Sequence, residues 1–294
     1  MKPAPFAYFA PRSLPEALSL IAEHGDAGKL LAGGQSLVPT MNFRLAQPAA
    51  LVDLNRVPEL AFLSEDGRGG LRIGAMTRHR TVERSNLAAQ RCPLLHATMP
   101  YIAHVQIRNR GTLGGSLAHA DPAAELPAVM VALDARMRLT SVRGERWVMA
   151  EDFYQGLFTT ALESDEILTE VVAPEQAPRA GWAFHKIARR HGDYAIVGVA
   201  ATVRLDAAGR ADQVKLVYLS VGEGPTLAQQ AAASLHGQAP TPARIAEAAR
   251  LAAQVDIEPL ADIHATVGYR RHLIEVLGQR ALTDAFARAG AAGA

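Results

Sequence analysis

Two glycine pairs, Gly33-Gly34 and Gly114-Gly115, constrain this chain more than any other feature of its sequence. They stand in the runs Ala32-Gly33-Gly34-Gln35-Ser36, which follows an apolar strand-like stretch, and Gly111-Thr112-Leu113-Gly114-Gly115-Ser116. Adjacent glycines permit positive φ and let backbone amides approach an anion closely. Gln35, Ser36, Thr112 and Ser116 add side chains able to bond phosphate oxygens. Neither run is a G-x-G-x-x-G fingerprint, and no lysine follows the glycines as in a P-loop. Taken singly, each run is read as well as a tight turn. Taken together, two converging amide-rich segments suit the two phosphates of a pyrophosphate, and both readings stay open on the residues alone.

Around these runs the chain reads as α+β in three parts. Ser13 can cap a helix Pro15–His24, with Glu16 placed as in a capping box. Strands are expected at 29–32 and 50–54, completing a small α/β unit. A second unit begins at Leu71–Ala75, after the turn-rich 65–70. It continues through a helix Thr81–Ala89, another before Val105, a helix Ala123–Leu133, and strands 136–141, 146–149 and 166–172. The prolines of Pro174-Glu175-Gln176-Ala177-Pro178 mark a linker. Beyond it, strands at 181–188, 194–205 and 214–221 suit an antiparallel sheet, followed by helices Pro242–Gln254 and Thr266–Leu277.

Composition removes several function classes. Thirty basic residues against 29 acidic give a formal charge of +1, and no basic stripe supports nucleic-acid binding. Cys92, the single cysteine, precludes an intrachain disulfide and an iron–sulfur cluster ligated by this chain alone. His79, His96 and His104 form no zinc pattern, and His119 with Asp121 makes only two ligands, so no metal is assigned. No Gly-x-Ser-x-Gly elbow is present. Met1-Lys2-Pro3-Ala4-Pro5-Phe6 lacks the apolar run of a signal peptide, and no stretch reaches roughly 18 uninterrupted apolar residues. A cytoplasmic protein without a membrane span is expected.

Four spaced motifs, in order, carry a family resemblance: Ala32–Ser36; the long run Gln106–Pro122; Lys186-Ile187-Ala188-Arg189-Arg190-His191-Gly192-Asp193-Tyr194-Ala195; and Tyr269-Arg270-Arg271-His272-Leu273. Across nearly its whole length the chain resembles the FAD-binding medium subunits of molybdenum hydroxylases, relatives of the xanthine dehydrogenase flavin domain and the carbon monoxide dehydrogenase flavoprotein. The resemblance implies a PCMH-type FAD-binding domain over 1–176, built of subunits 1–58 and 59–176. A C-terminal flavoprotein domain would occupy 177–294.

It also implies roles. Ala32, Gly33, Gly34, Gln35 and Ser36, with Gly111, Thr112, Leu113, Gly114 and Gly115, would wrap the FAD pyrophosphate, flanked by Leu31 and Leu37. Ser116 stands where many relatives carry asparagine, and Glu125 where many carry aspartate. Lys186 would approach the flavin, Tyr194 would shape access to its ring, and Ile102 and Leu168 would line its cavity. Read without the family, Glu125 is an exposed acid in a helix's first turn, favoured there by the dipole. On the same terms Lys186 is a solvated strand residue and Tyr194 a half-buried core residue.

For function, the resemblance implies an electron-transfer subunit with non-covalent FAD and no catalytic residue of its own. Partners would be an iron–sulfur small subunit carrying [2Fe-2S] clusters, a molybdopterin large subunit and an external electron acceptor. Gln35, His119 and Glu125 lean toward complexes that oxidise N-heterocycles, aromatics or aldehydes rather than carbon monoxide. A free-standing flavin oxidase is the rival among enzymes, although the segment past the linker is short for its substrate domain. A flavin-free assembly module is the rival outside them, and two intact glycine runs argue against it.

Overall fold

A computed structural model describes residues 2–292, so Met1 of the N-terminal hexapeptide and Gly293-Ala294 of the tail lie outside the described residues. The first unit holds three parallel strands, β1 (Ala7–Phe9), β2 (Gly28–Leu31) and β3 (Ala50–Asp53), in the order β1-β3-β2. Its helix Leu14–His24 starts where Ser13 Oγ accepts from the Glu16 amide at 3.4 Å. The Glu16 carboxylate reaches back to the Arg12 amide at 2.8 Å, one residue before the usual partner in a capping box. Strand β1 is absent from the sequence reading, because three residues are too few for a periodic signal.

The second unit carries an antiparallel sheet of β4 (Leu63–Glu65), β5 (Leu71–Gly74), β6 (Arg136–Ser141), β7 (Gly144–Met149) and β10 (Ile167–Ala173), ordered β4-β5-β10-β6-β7. Strands β8 (Tyr154–Gly156) and β9 (Thr159–Thr160) form a separate ribbon. The helix expected over Thr81–Ala89 is two helices, His79–Glu83 and Asn86–Arg91, because Ser85 caps the second by accepting from Ala88 N at 3.1 Å. The glycine run 111–116 is no open loop either. Thr112 caps a helix Leu113–His119, its hydroxyl accepting from Gly115 N at 3.0 Å.

The third sheet, β11 (Ala180–Ala188), β12 (Ala195–Leu205), β13 (Ala211–Leu219) and β14 (Thr226–Leu227), is an antiparallel meander. The apolar helix Glu125–Ala132 is buried on every side. One core joins it to the second sheet and to Phe184, Ala200, Val217 and Leu219 of the third, so the two units share an interior. A helix Val267–Ala291, far longer than the expected Thr266–Leu277, covers the sheet's other face. No described helix is long and apolar enough to cross a membrane.

Candidate functional site

A cleft of about 910 Å³ opens where the first two units meet the third. Its size falls within the range of cofactor sites. Both glycine runs reach it, and they touch each other. A Cβ on Gly33 would stand 2.5 Å from the Arg110 carbonyl oxygen and 2.7 Å from Gly111 Cα, so only glycine permits the approach.

The first run joins β2 to the helix Leu37–Asn42, with Gly34 turned at φ +73°. The amides of Gly33, Gly34, Gln35 and Ser36 donate no hydrogen bond among the described residues. Gln35 Nε2 folds back to the Gly33 carbonyl at 3.1 Å and stiffens the turn. Unpaired backbone donors are rare in folded chains, and four in sequence on a cleft wall form a nest for an anion.

The second run differs. Gly111 N donates to Ile107 O at 2.7 Å, Leu113 N to Thr77 O at 2.9 Å, Gly114 N to Ala75 O at 2.8 Å and Ser116 N to Thr112 O at 3.1 Å. Most of its amides are therefore committed to the protein, and it offers the cleft mainly hydroxyls. Gly114 packs against β5's end: a Cβ there would meet Ala75 Cα at 2.8 Å. The sequence suggests two equivalent amide cradles, whereas the geometry leaves the free donors on the first run and gives the second a bracing role.

Ala32 through Leu37, Gly111, Thr112, Gly114, Gly115 and Ser116 line the cleft, joined by Ile102, Leu168, Glu125 and Tyr194. Three of the residues singled out from the sequence do not. Leu113 is fully buried in the core, and Leu31 lies behind the turn, its methyl 3.2 Å from where a Gly34 Cβ would be. Lys186 is engaged: Nζ donates to Glu125 Oε1 at 2.6 Å and to the Tyr101 carbonyl at 3.2 Å, with only 4% of the lysine side chain exposed. Glu125 is in its helix's first turn but is not exposed; burial raises its carboxyl's pKa and the lysine opposes that. Tyr194, 63% exposed, stands at the mouth rather than in the core.

Sequence reasoning passes over two residues on the wall. Phe158 lies between β8 and β9 at φ +52°, rare for a bulky residue, with its ring 5.2 Å from that of His119. His79, by sequence one of several scattered histidines, is buried against Gly111 and Thr112, and neither ring nitrogen has a hydrogen-bond partner among the described residues. Burial, aided by the charges of Arg108 and Arg78 and opposed by the Thr112 backbone, pushes its pKa down to about 4. The late motif stays away from the cleft. Arg270 is buried beneath the third sheet, donating to Ile196 O at 2.5 Å, Ser220 O at 2.6 Å and Asp262 Oδ2 at 2.6 Å.

A row of free amides beside apolar Ile102 and Leu168 is a donor set that fits FAD: dipoles for the pyrophosphate and an apolar wall for a ring system. Comparison with known proteins agrees. Residues 4–176 match the family described as the FAD binding domain in molybdopterin dehydrogenase, and residues 182–285 match the CO dehydrogenase flavoprotein C-terminal domain. The 6-hydroxypseudooxynicotine dehydrogenase complex subunit alpha of Paenarthrobacter nicotinovorans is 41% identical, over 98% of this chain and 97% of its own. The solved carbon monoxide dehydrogenase of Hydrogenophaga pseudoflava contains a chain that superposes with a TM-score of 0.94 at 38% identity, covering 98% of this chain and 99% of that one. Quinoline 2-oxidoreductase from Pseudomonas putida 86 matches with a TM-score of 0.92 at 39% identity, over 100% of both chains. The protein belongs to the FAD-binding medium subunits of the molybdenum hydroxylase family, subunits of oxidoreductase complexes.

Proposed function

We propose that this chain is the electron-transfer subunit of a heterotrimeric, cytoplasmic molybdenum hydroxylase. It takes electrons from an iron–sulfur subunit and passes them to an external acceptor, while a molybdopterin subunit meets the organic substrate. The observation that carries the reading is the row of unpartnered amides, Gly33 to Ser36, on a cleft of cofactor size in a chain whose one cysteine is buried. FAD, when bound, takes up electrons singly and releases them in pairs. The residues of this chain hold and shield it. Gly33–Ser36 would bind the pyrophosphate, the hydroxyls of Thr112 and Ser116 would supplement them, and Ile102 and Leu168 would exclude water from the ring. Glu125 and Lys186 would set the charge nearby, and Tyr194 would restrict the mouth. Domains of 1–176 and 177–294 accord with this division, with the cleft between them.

For the holoenzyme's substrate we favour an N-heterocycle, an aromatic compound or an aldehyde. The relatives named for 6-hydroxypseudooxynicotine and quinoline support that class, and the one named for carbon monoxide marks the alternative.

The test begins with the spectrum of the purified full-length chain. Flavin bands should appear, and acid precipitation should release free FAD into the supernatant. Dithionite should bleach those bands, and no organic substrate should do so until the iron–sulfur and molybdenum subunits are added. Turnover of a substrate by the lone chain would establish a free-standing oxidase instead.

A further inference from the structure

We infer that Asn55 is a positioning residue that aims the Gly33 amide into the cleft, and that Arg78 holds Asn55 in place. The inference rests on reading Gly33–Ser36 as the pyrophosphate cradle. Asn55 Nδ2 donates to the Ala32 carbonyl at 2.9 Å and to Asp53 Oδ1 at 2.5 Å. Its Oδ1 accepts from Arg78 Nη2 at 2.5 Å, and Arg78 Nη1 donates to the carbonyl of Arg110, the residue before the second glycine run. Tyr8 closes the chain by donating its hydroxyl to Asp53 Oδ2 at 2.6 Å.

Two properties of this network have functional weight. A trans peptide is planar, so the Ala32 carbonyl and the Gly33 N–H point in opposite directions. Asn55 pulls the carbonyl toward itself. The N–H is thereby turned away from Asn55, to the side on which Gly33 lines the cleft, and it has no partner there among the described residues. Glycine at 33 would otherwise let this peptide flip at little cost. The amide of Asn55 also has one workable orientation. Its nitrogen faces two acceptors and its oxygen faces a guanidinium, so the side chain cannot reverse without breaking all three bonds. Arg78 additionally ties both runs together, because it reaches Asn55 on one side and Arg110 on the other.

The network therefore predicts a specific failure. In Asn55→Asp a carboxylate would face the Ala32 carbonyl and the Asp53 carboxylate, and would attract the Gly33 N–H. The peptide would flip and the cradle would lose its first donor. The groups around the substituted carboxyl are Asp53 and Arg78, with Arg110 and Tyr8 beyond them. Arg78, within hydrogen-bond distance, keeps this carboxyl ionised against the opposing charge of Asp53.

Dissociation constants for FAD, and for riboflavin, which lacks phosphate, should be measured by flavin fluorescence on the apo form of the full-length chain at pH 8. Asn55→Asp should bind about ten- to a hundredfold more weakly than the parent at pH 8, as for loss of one charge-assisted hydrogen bond. That loss applies to FAD; riboflavin should bind the variant and the parent within about threefold of each other. Arg78→Lys, which cannot span both acceptors, should weaken FAD about tenfold and serves if the first variant does not fold. Gly34→Val tests the cradle itself and should abolish binding. If Gly34→Val loses FAD while Asn55→Asp and Arg78→Lys stay within about threefold of the parent, the positioning role is wrong and the cradle stands. Equal weakening of FAD and riboflavin by Asn55→Asp also overturns it, since a general disturbance of the cleft would not spare a ligand without phosphate. If Gly34→Val keeps its flavin, the cradle reading falls and this inference with it.

Discussion

His79 offers the most direct check of the electrostatics beside the glycine runs. Its ring is buried and its pKa is pushed from 6.5 down to about 4. Below pH 6.5 the unfolded chain takes up a proton that the folded chain refuses until about pH 4. The unfolded state thus binds more protons in that window, and stability falls as pH drops through it. At about 1.4 kcal/mol per tenfold change in proton affinity, the gap amounts to about 3 kcal/mol. His79→Leu removes the titration with little change of volume and breaks no hydrogen bond seen among the described residues. At pH 7.5 the variant's apo form should be as stable as the parent or slightly more so, because an unsatisfied buried polar group is gone. Toward pH 4 the parent should lose about 3 kcal/mol more than the variant, a separation in Tm of about 6 to 12 °C. Urea unfolding and thermal melts of both apo proteins across this range measure it, and acids common to both cancel in the difference. Parallel profiles, with less than about 1 kcal/mol of divergence, would mean that the ring is charged or partnered in the folded chain.

Three further outcomes are expected. Gly114→Val should destabilise the apo chain by about 1–3 kcal/mol in urea unfolding, since its side chain must enter the backbone of Ala75, and Gly34→Val, which puts a β-branched residue at φ +73°, should cost a similar amount and lose flavin as well. Lys186→Met leaves Glu125 buried without its cation and should cost about 3–5 kcal/mol near neutrality, less as the pH falls and the raised carboxyl takes up a proton; adding Glu125→Leu should recover most of it. Because the described cleft wall carries Lys29 as its one lysine or arginine, the FAD Kd should change less than about tenfold between about 0.05 and 0.5 M salt in a fluorescence titration; a steeper fall would point to side-chain cations as the holders.

Where local chemistry decides the structure, the sequence is readable. Strand β6 runs from Arg136 to Ser141 as expected, because its alternating burial is a period-two pattern. The Ser13 cap and the Gly33-Gly34 turn are local in the same sense. Other features depend on distant residues. Strand β10 inserts between β5 and β6, which no local pattern encodes. The helix Leu113–His119 is hidden by two glycines, poor helix formers that are present because Ala75 lies against Gly114, and Thr112 and Ala32 against Gly115. Gly278 looks like the end of the last helix, yet the helix runs on to Ala291. The glycine leaves room for Tyr218, whose hydroxyl donates to the Ile274 carbonyl at 2.9 Å. In the site, the motifs bring Ala32–Leu37, Gly111, Thr112 and Gly114–Ser116 to one cleft. The pairing of Lys186 with Glu125 is invisible in the sequence, since 61 positions separate them.

That pairing belongs to a wider arrangement that explains how an acid-rich cleft can receive an anionic cofactor. Asp26, Asp121, Glu125, Glu163, Glu166 and Asp193 all border it. Four of the six are matched by cations outside the lining: Glu125 by Lys186 at 2.6 Å, Glu163 by Arg143 at 2.6 Å, Glu166 by Arg146 at 2.7 Å and Asp193 by Arg189 at 3.2 Å. Asp121 turns one carboxylate oxygen to the Ala123 amide at 2.9 Å. With four of these charges balanced locally, the remaining positive potential on the wall comes from Lys29 and the Gly33–Ser36 amides. Fixed dipoles of this kind need no reorganisation when a ligand arrives, and a lysine or arginine would have to give up hydration and rotamer freedom to do the same work. Four cations are thus committed to silencing acids, and on the proposed reading the backbone amides, beside Lys29, are left to recognise the phosphate. This division accounts for why the first glycine run keeps its donors unpaired while the second commits nearly all of its own to the fold.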